Sequence, residues 1–156
     1  GIQHIEEDFP GLIDPKTFAI IRNPWARMVS LYHFDGVKLK QKIDKGKGKG
    51  DYVNQYEKYL KGFDYWLEQG LDYQSNWFTY KFPQCKWIKE NPTWILRLEN
   101  IVEDFKQIQD YTNCYEPLNK ENSTEHKHYS EYYNSKTKYL VSELFKDDIK
   151  RFNYDF

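Results

Sequence analysis

The chain has 156 residues, a net charge of −1 at pH 7, a pI near 6.5 and a mean hydropathy of −0.93. That length suits one domain over 1–156 with a real core, and the balanced charge excludes a general polyanion-binding surface, so nucleic acid is not an expected partner and any basic site has to be local. Aromatic residues make up 19%, with 14 Tyr and 5 Trp; their apolar bodies and polar edges serve either a core or a wet, sugar-binding groove.

No apolar run is long enough to cross a membrane and no secretory signal is present. The first residue is Gly, which suggests a processed piece of a longer protein. Localisation therefore stays open, with the cytoplasm as default and a membrane-associated parent as the alternative. Cys85 and Cys114 are too few for a disulfide framework or a zinc site, while one bridge between them stays open. In HIEEDFPG, His4 lacks the second His of an HExxH metal motif. A neutral imidazole there has the chemistry to accept a proton, and an exposed His is the plainer alternative.

Phe18, Ala19, Ile20 and Ile21 form an unbroken apolar run that predicts a strand buried on both faces, as in a parallel sheet, with Arg22 at its end. Asn23-Pro24 is a helix-start signal, and Trp25, Met28, Val29 and Tyr32 then fall on one apolar stripe. Arg22 is thereby placed at the carboxyl end of the sheet, where open α/β folds hold ligands. Arg22 and Ser30 stand eight residues apart, within reach of a shared anion for which guanidinium offers a planar fork and the hydroxyl one more donor. The alternative pairs Arg22 with a carboxylate and leaves Ser30 as a filler of helix packing.

The Lys/Gly run within about 44–51 reads as a flexible, solvated linker. Helices are expected over Tyr52–Leu60 and Phe63–Gln69, punctuated by Gly62 and Gly70. A polar and aromatic loop containing Pro83 leads to a short strand over Cys85–Ile88. Thr93–Leu98 reads as a second buried parallel strand and Glu99–Gln109 as its helix, with Glu99 a cap or an ion-pair partner. After a loop through Glu125 come His126, Lys127 and His128, too little for a metal site without help from elsewhere. Ser135 is the expected cap of a helix that turns Tyr139, Leu140, Leu144 and Ile149 inward, and FNYDF is expected to dock on the core. Two strand-then-helix units argue for α/β architecture.

The string FAIIRNPWARMVSLY resembles the 3′-phosphate-binding segment of sulfotransferases that use 3′-phosphoadenosine-5′-phosphosulfate (PAPS), their carbohydrate branch in particular; WILRLENIVEDF and the carboxyl-terminal stretch extend the likeness. The resemblance implies a three-layer, P-loop-NTPase-like α/β fold with a parallel sheet, rich in helix. It implies sulfuryl transfer from PAPS, leaving 3′-phosphoadenosine-5′-phosphate (PAP), to a hydroxyl or amine, with a carbohydrate the expected acceptor and no metal needed. By the family's pattern Arg22 and Ser30 hold the 3′-phosphate, Arg27 is a supporting charge, and His4 is a candidate general base. Gln84, Asn76 and Trp77 border the acceptor site, and Lys127 and Ser123 belong to a late loop on the nucleotide's 3′-phosphate side.

The family's Gly-rich loop for the 5′-phosphosulfate has no counterpart before Thr17. The chain is therefore expected to be a sulfotransferase domain truncated at its amino end, inactive alone unless a further segment or an oligomeric partner completes it. A non-catalytic carbohydrate- or partner-binding module on the same scaffold is the main alternative. A kinase is disfavoured by the lack of a GxxxxGK[ST] motif.

Overall fold

A computed structural model describes residues 16–47, 51–72, 82–88, 91–119 and 126–156. Strand β1 (Phe18–Ile21) runs parallel to β2 (Trp94–Arg97), with Phe18 opposite Trp94 and Ile21 opposite Arg97. Between them lie α1 (Pro24–Lys42), α2 (Asp51–Leu60), α3 (Phe63–Asp72) and the short α4 (Gln84–Trp87). After β2 come α5 (Ile101–Thr112), α6 (Ser135–Leu144) and α7 (Lys146–Phe152). The described residues thus form a helix-rich assembly around a small parallel sheet.

The α1 stripe is buried as its spacing predicts: Trp25, Met28, Val29 and Tyr32 join Ile21, Phe63, Leu67, Val141, Phe145, Phe152 and Tyr154 in one core. Much of the aromatic content is used here. The Tyr32 ring lies 4.6 Å from Tyr59, 5.5 Å from Phe63 and 5.4 Å from Trp66, and Phe63 meets Tyr133 edge-on at 4.9 Å. The FNYDF segment docks, with Phe152 and Tyr154 buried and the Phe156 ring edge-on to Trp25 at 5.5 Å.

Several expectations are corrected. β1 is not buried on both faces: Phe18 and Ile20 are each 51% exposed, because the strand's only sheet neighbour among the described residues is β2. The segment expected as a strand over Cys85–Ile88 is helix α4. Pro83 presets its start, and both oxygens of the buried Asp148 carboxylate accept from the Gln84 and Cys85 N–H groups at 2.7 Å. Ser135 is not the cap of α6. Asn134 takes that place in a capping box with Thr137. Tyr139 faces out at 62% exposure, since the inward row of this helix is Thr137, Val141 and Phe145.

The start of the expected linker is ordered, as Ile43–Lys47 form one wide helical turn bent at Gly46, whose φ of 69° suits glycine. Residues 48–50 lie outside the described ones. Gly70 falls inside α3 rather than ending it. Both cysteines are free. Among the described residues no helix is long and apolar enough to cross a membrane.

Asp35, on α1, is 4% exposed, and burial pushes its carboxyl up to about 7 against the opposing pull of Lys42. The folded chain therefore keeps a proton that the unfolded chain releases near pH 4, so this group's contribution favours folding at low pH and is lost as pH rises from about 4 to about 7. Asp35→Asn is expected to raise stability at pH 8 by on the order of 3 kcal/mol, with no gain at pH 4, as read from urea unfolding at the two pH values.

Candidate functional site

The turn from β1 into α1 is built by Asn23. Its Oδ1 accepts from the N–H groups of Trp25 and Ala26 at 3.0 and 3.1 Å, satisfying two of the amides that a helix start leaves open. Its Nδ2 donates to the Asp155 carbonyl at 2.9 Å, and its own N–H donates to Glu99 Oε1 at 2.7 Å. Glu99 therefore acts as a tie across the turn, and its Oε2 accepts from the Tyr154 hydroxyl at 3.4 Å.

Arg22 precedes this cap. Its N–H donates to Gln84 Oε1 at 2.9 Å and its carbonyl accepts from Gln84 Nε2 at 2.8 Å, so one side-chain amide fills both of its backbone valences. This is where the structure places Gln84, a sequence candidate for acceptor contact. The Arg22 guanidinium, by contrast, makes no hydrogen bond or ion pair with any of the described residues. Burial pushes its pKa down and the nearby Glu99 opposes that shift. The carboxylate-pairing alternative is thus met only at a distance, since Glu99 spends its oxygens on Asn23 and Tyr154.

Ser30 lies on α1, six residues and about 9 Å of helix beyond Pro24. It is half-buried, and its hydroxyl has no partner among the described residues. One turn further, His33 Nε2 pairs with the Tyr132 hydroxyl at 2.9 Å and its ring stacks on His126 at 5.0 Å. The loop that carries Lys127 therefore lies against the side of α1 next to Ser30. Lys127 itself is exposed and 3.8 Å from Glu131.

Arg27 has a structural role. Its Nη1 donates to the Phe82 carbonyl at 3.1 Å and its guanidinium sits over the Phe145 ring at 5.5 Å. The expected His4, Asn76, Trp77 and Ser123 lie outside the described residues. No group of three or more His, Cys, Asp or Glu side chains converges as metal ligands among the described residues.

Two residues of this region escaped the sequence reading. Asp148 holds α4 in place and is fully buried; a carboxylate amid the apolar positions Leu144, Phe145, Ile149 and Phe152 was the available signal. His33 had none, because its partners arrive from residues 126–132. Burial, together with the hydrogen bond to Asp148 and its negative charge, pushes the Cys85 thiol up to about 11, which keeps it protonated at neutral pH.

Asn23→Ala is expected to destabilise the chain by about 2 kcal/mol, the upper range for a lost helix cap, because the Asp155 tie goes with it. Asn23→Ser restores the acceptor without the amide donor and is expected to recover about half of that loss in denaturant titrations.

Among known proteins, the model of the sulfotransferase family matches residues 12–155. No curated protein and no solved structure matches the chain.

Proposed function

Because the chain belongs to the sulfotransferase family, we propose that it binds PAPS through Arg22 and Ser30 and serves sulfuryl transfer to a hydroxyl or amine of a carbohydrate, on the three-layer, P-loop-like architecture of that family. One observation carries this reading. A partly buried guanidinium and a half-buried hydroxyl, set on either side of one strand-to-helix turn, both keep their hydrogen-bonding capacity unspent among the described residues.

These groups fit a phosphate dianion. The planar fork of Arg22 presents paired N–H donors, the Ser30 hydroxyl supplies a further one, and the positive end of the α1 dipole lies between them. The nucleotide, when bound, supplies the activated sulfuryl group. The chain's own residues then hold and orient: Gln84 fixes the Arg22 backbone and Asn23 fixes the helix start, so the clamp is set before any ligand arrives. The stacking of His126 on His33 supports a place for Lys127 beside the same phosphate. His4 as general base, Ser123 beside Lys127, and Asn76 and Trp77 as acceptor contacts complete the proposed set. Gln84 joins the acceptor side only through the Arg22 backbone it already holds.

A thermal-shift titration with PAP against AMP tests this. PAP at 100 times its dissociation constant is expected to stabilise the chain by about 2.7 kcal/mol. Because AMP lacks the 3′-phosphate, it is expected to be weaker by at least about tenfold in affinity. Arg22→Ala is expected to lose about 1.5–3 kcal/mol of PAP binding and Ser30→Ala about 1 kcal/mol. Equal stabilisation by PAP and AMP, or an unaltered response in Arg22→Ala, overturns the assignment.

A further inference from the structure

The far end of α1 carries a second feature. Lys38, Gln41, Lys42, Lys45 and Tyr52 line a cavity of about 390 Å³ where α1, the wide turn after it and α2 meet. That volume falls in the range of small-ligand pockets. We propose that this cavity is an anion site separate from the Arg22–Ser30 pair, and that it takes the sulfate or carboxylate groups of an acidic oligosaccharide.

The lining residues include no carboxylate. No carboxylate makes an ion pair with Lys38, Lys42 or Lys45 among the described residues. Asp44, the nearest acid in sequence, is held by Lys40 at 2.9 Å instead. Asp35 feels Lys42, but burial keeps its carboxyl protonated up to about pH 7, so it offsets the lysines only in part. Three lysines line one concavity, with the Lys38 Nζ over the Phe34 ring at 5.3 Å, and such flexible stems with rotatable donors suit several anionic groups spaced along a chain better than one rigid phosphate. Tyr52 is the one aromatic ring of the lining and has the Lys42 Nζ over one face at 4.3 Å, so the cavity lacks the row of rings on which successive nucleobases stack and favours a saccharide over single-stranded RNA.

Placement ties the cavity to the clamp. Ser30, Phe34, Lys38 and Gln41 recur at i, i+4, i+8 and i+11, one face of the same helix. Lys38 lies about 12 Å beyond Ser30 along the axis. A saccharide chain seated on the lysines can therefore follow this face toward Ser30. The identity of the ligand as a saccharide rests on the proposed sulfuryl transfer, whereas the anion chemistry does not.

Calorimetric titration tests the site with a sulfated hexasaccharide, a carboxylate-only hexasaccharide, a neutral hexasaccharide and an RNA octamer, each at 50 and 200 mM salt. The expected result is salt-sensitive binding of one or both acidic hexasaccharides and none of the neutral one. The triple variant Lys38→Gln, Lys42→Gln, Lys45→Gln is expected to weaken that binding by at least about tenfold, whereas Lys146→Gln, on α7, leaves it unchanged. Stabilisation by PAP is expected to be the same in all variants. If saccharide binding follows the lysines while PAP has no effect on any variant, the cavity stands and the nucleotide reading falls. Tighter binding of RNA, equal binding of the neutral sugar, no binding at all, or an unaltered triple variant overturns the proposal.

Discussion

A helix start leaves backbone amides without partners inside the helix, and the chain answers this need at α1 with one side chain, Asn23. The same amide reaches the Asp155 carbonyl, and the Asn23 N–H reaches Glu99. Two distant parts of the sequence are thus fastened to a single residue, and the directions of β1 and α1 are fixed relative to each other. Arg22 inherits its position from that arrangement, with Gln84 occupying its backbone from the other side. What the guanidinium can reach follows from a cap and an amide, neither of which touches it.

The two arginines of this segment show how the fold divides labour. Arg27 is consumed by the structure, its fork on the Phe82 carbonyl and its face on Phe145. Arg22 is left with its donors open because the acids that surround the turn are already engaged: Glu99 by Asn23 and Tyr154, Asp148 by the first amides of α4. A partly buried cation with no hydrogen-bond partner among the described residues is an uncommon state. The basic cavity at the other end of α1 is its counterpart, lined by Lys38, Lys42 and Lys45, which make no ion pair among the described residues.

What the sequence disclosed was what depends on local periodicity and capping. The β1–α1 unit, the apolar stripe of α1, the glycine stop at Gly62 and the strand over Trp94–Arg97 are all properties of short stretches, and they stand in the structure close to where the spacing puts them. The misses share another cause. Cys85 lies in a helix because Asp148, from a segment far along the chain, caps it. Phe18 and Ile20 read as fully buried because an apolar run does not reveal how many strands will flank it. At Ser135 and Asn134 two good cap residues are adjacent, and the partner Thr137 decides between them. For the candidate site, Arg22 and Ser30 were visible as residue types in a pattern, while the lack of a partner for the Arg22 guanidinium among the described residues depends on where Glu99 ends up.

The parallel pairing of β1 with β2 has a consequence for how the chain acquires its shape. Phe18 meets Trp94 and Thr17 meets Thr93 across 76 residues, and a parallel pair cannot be closed by a tight turn. The Asn23 tie to Asp155 spans 132. Helices such as α1 and α3 need only neighbouring residues to begin, whereas these contacts must wait until long stretches have been brought together, with the entropy loss that entails. During synthesis the local cap of α1 is therefore free to form early, whereas the Asn23–Asp155 tie closes only after Asp155 has emerged from the ribosome.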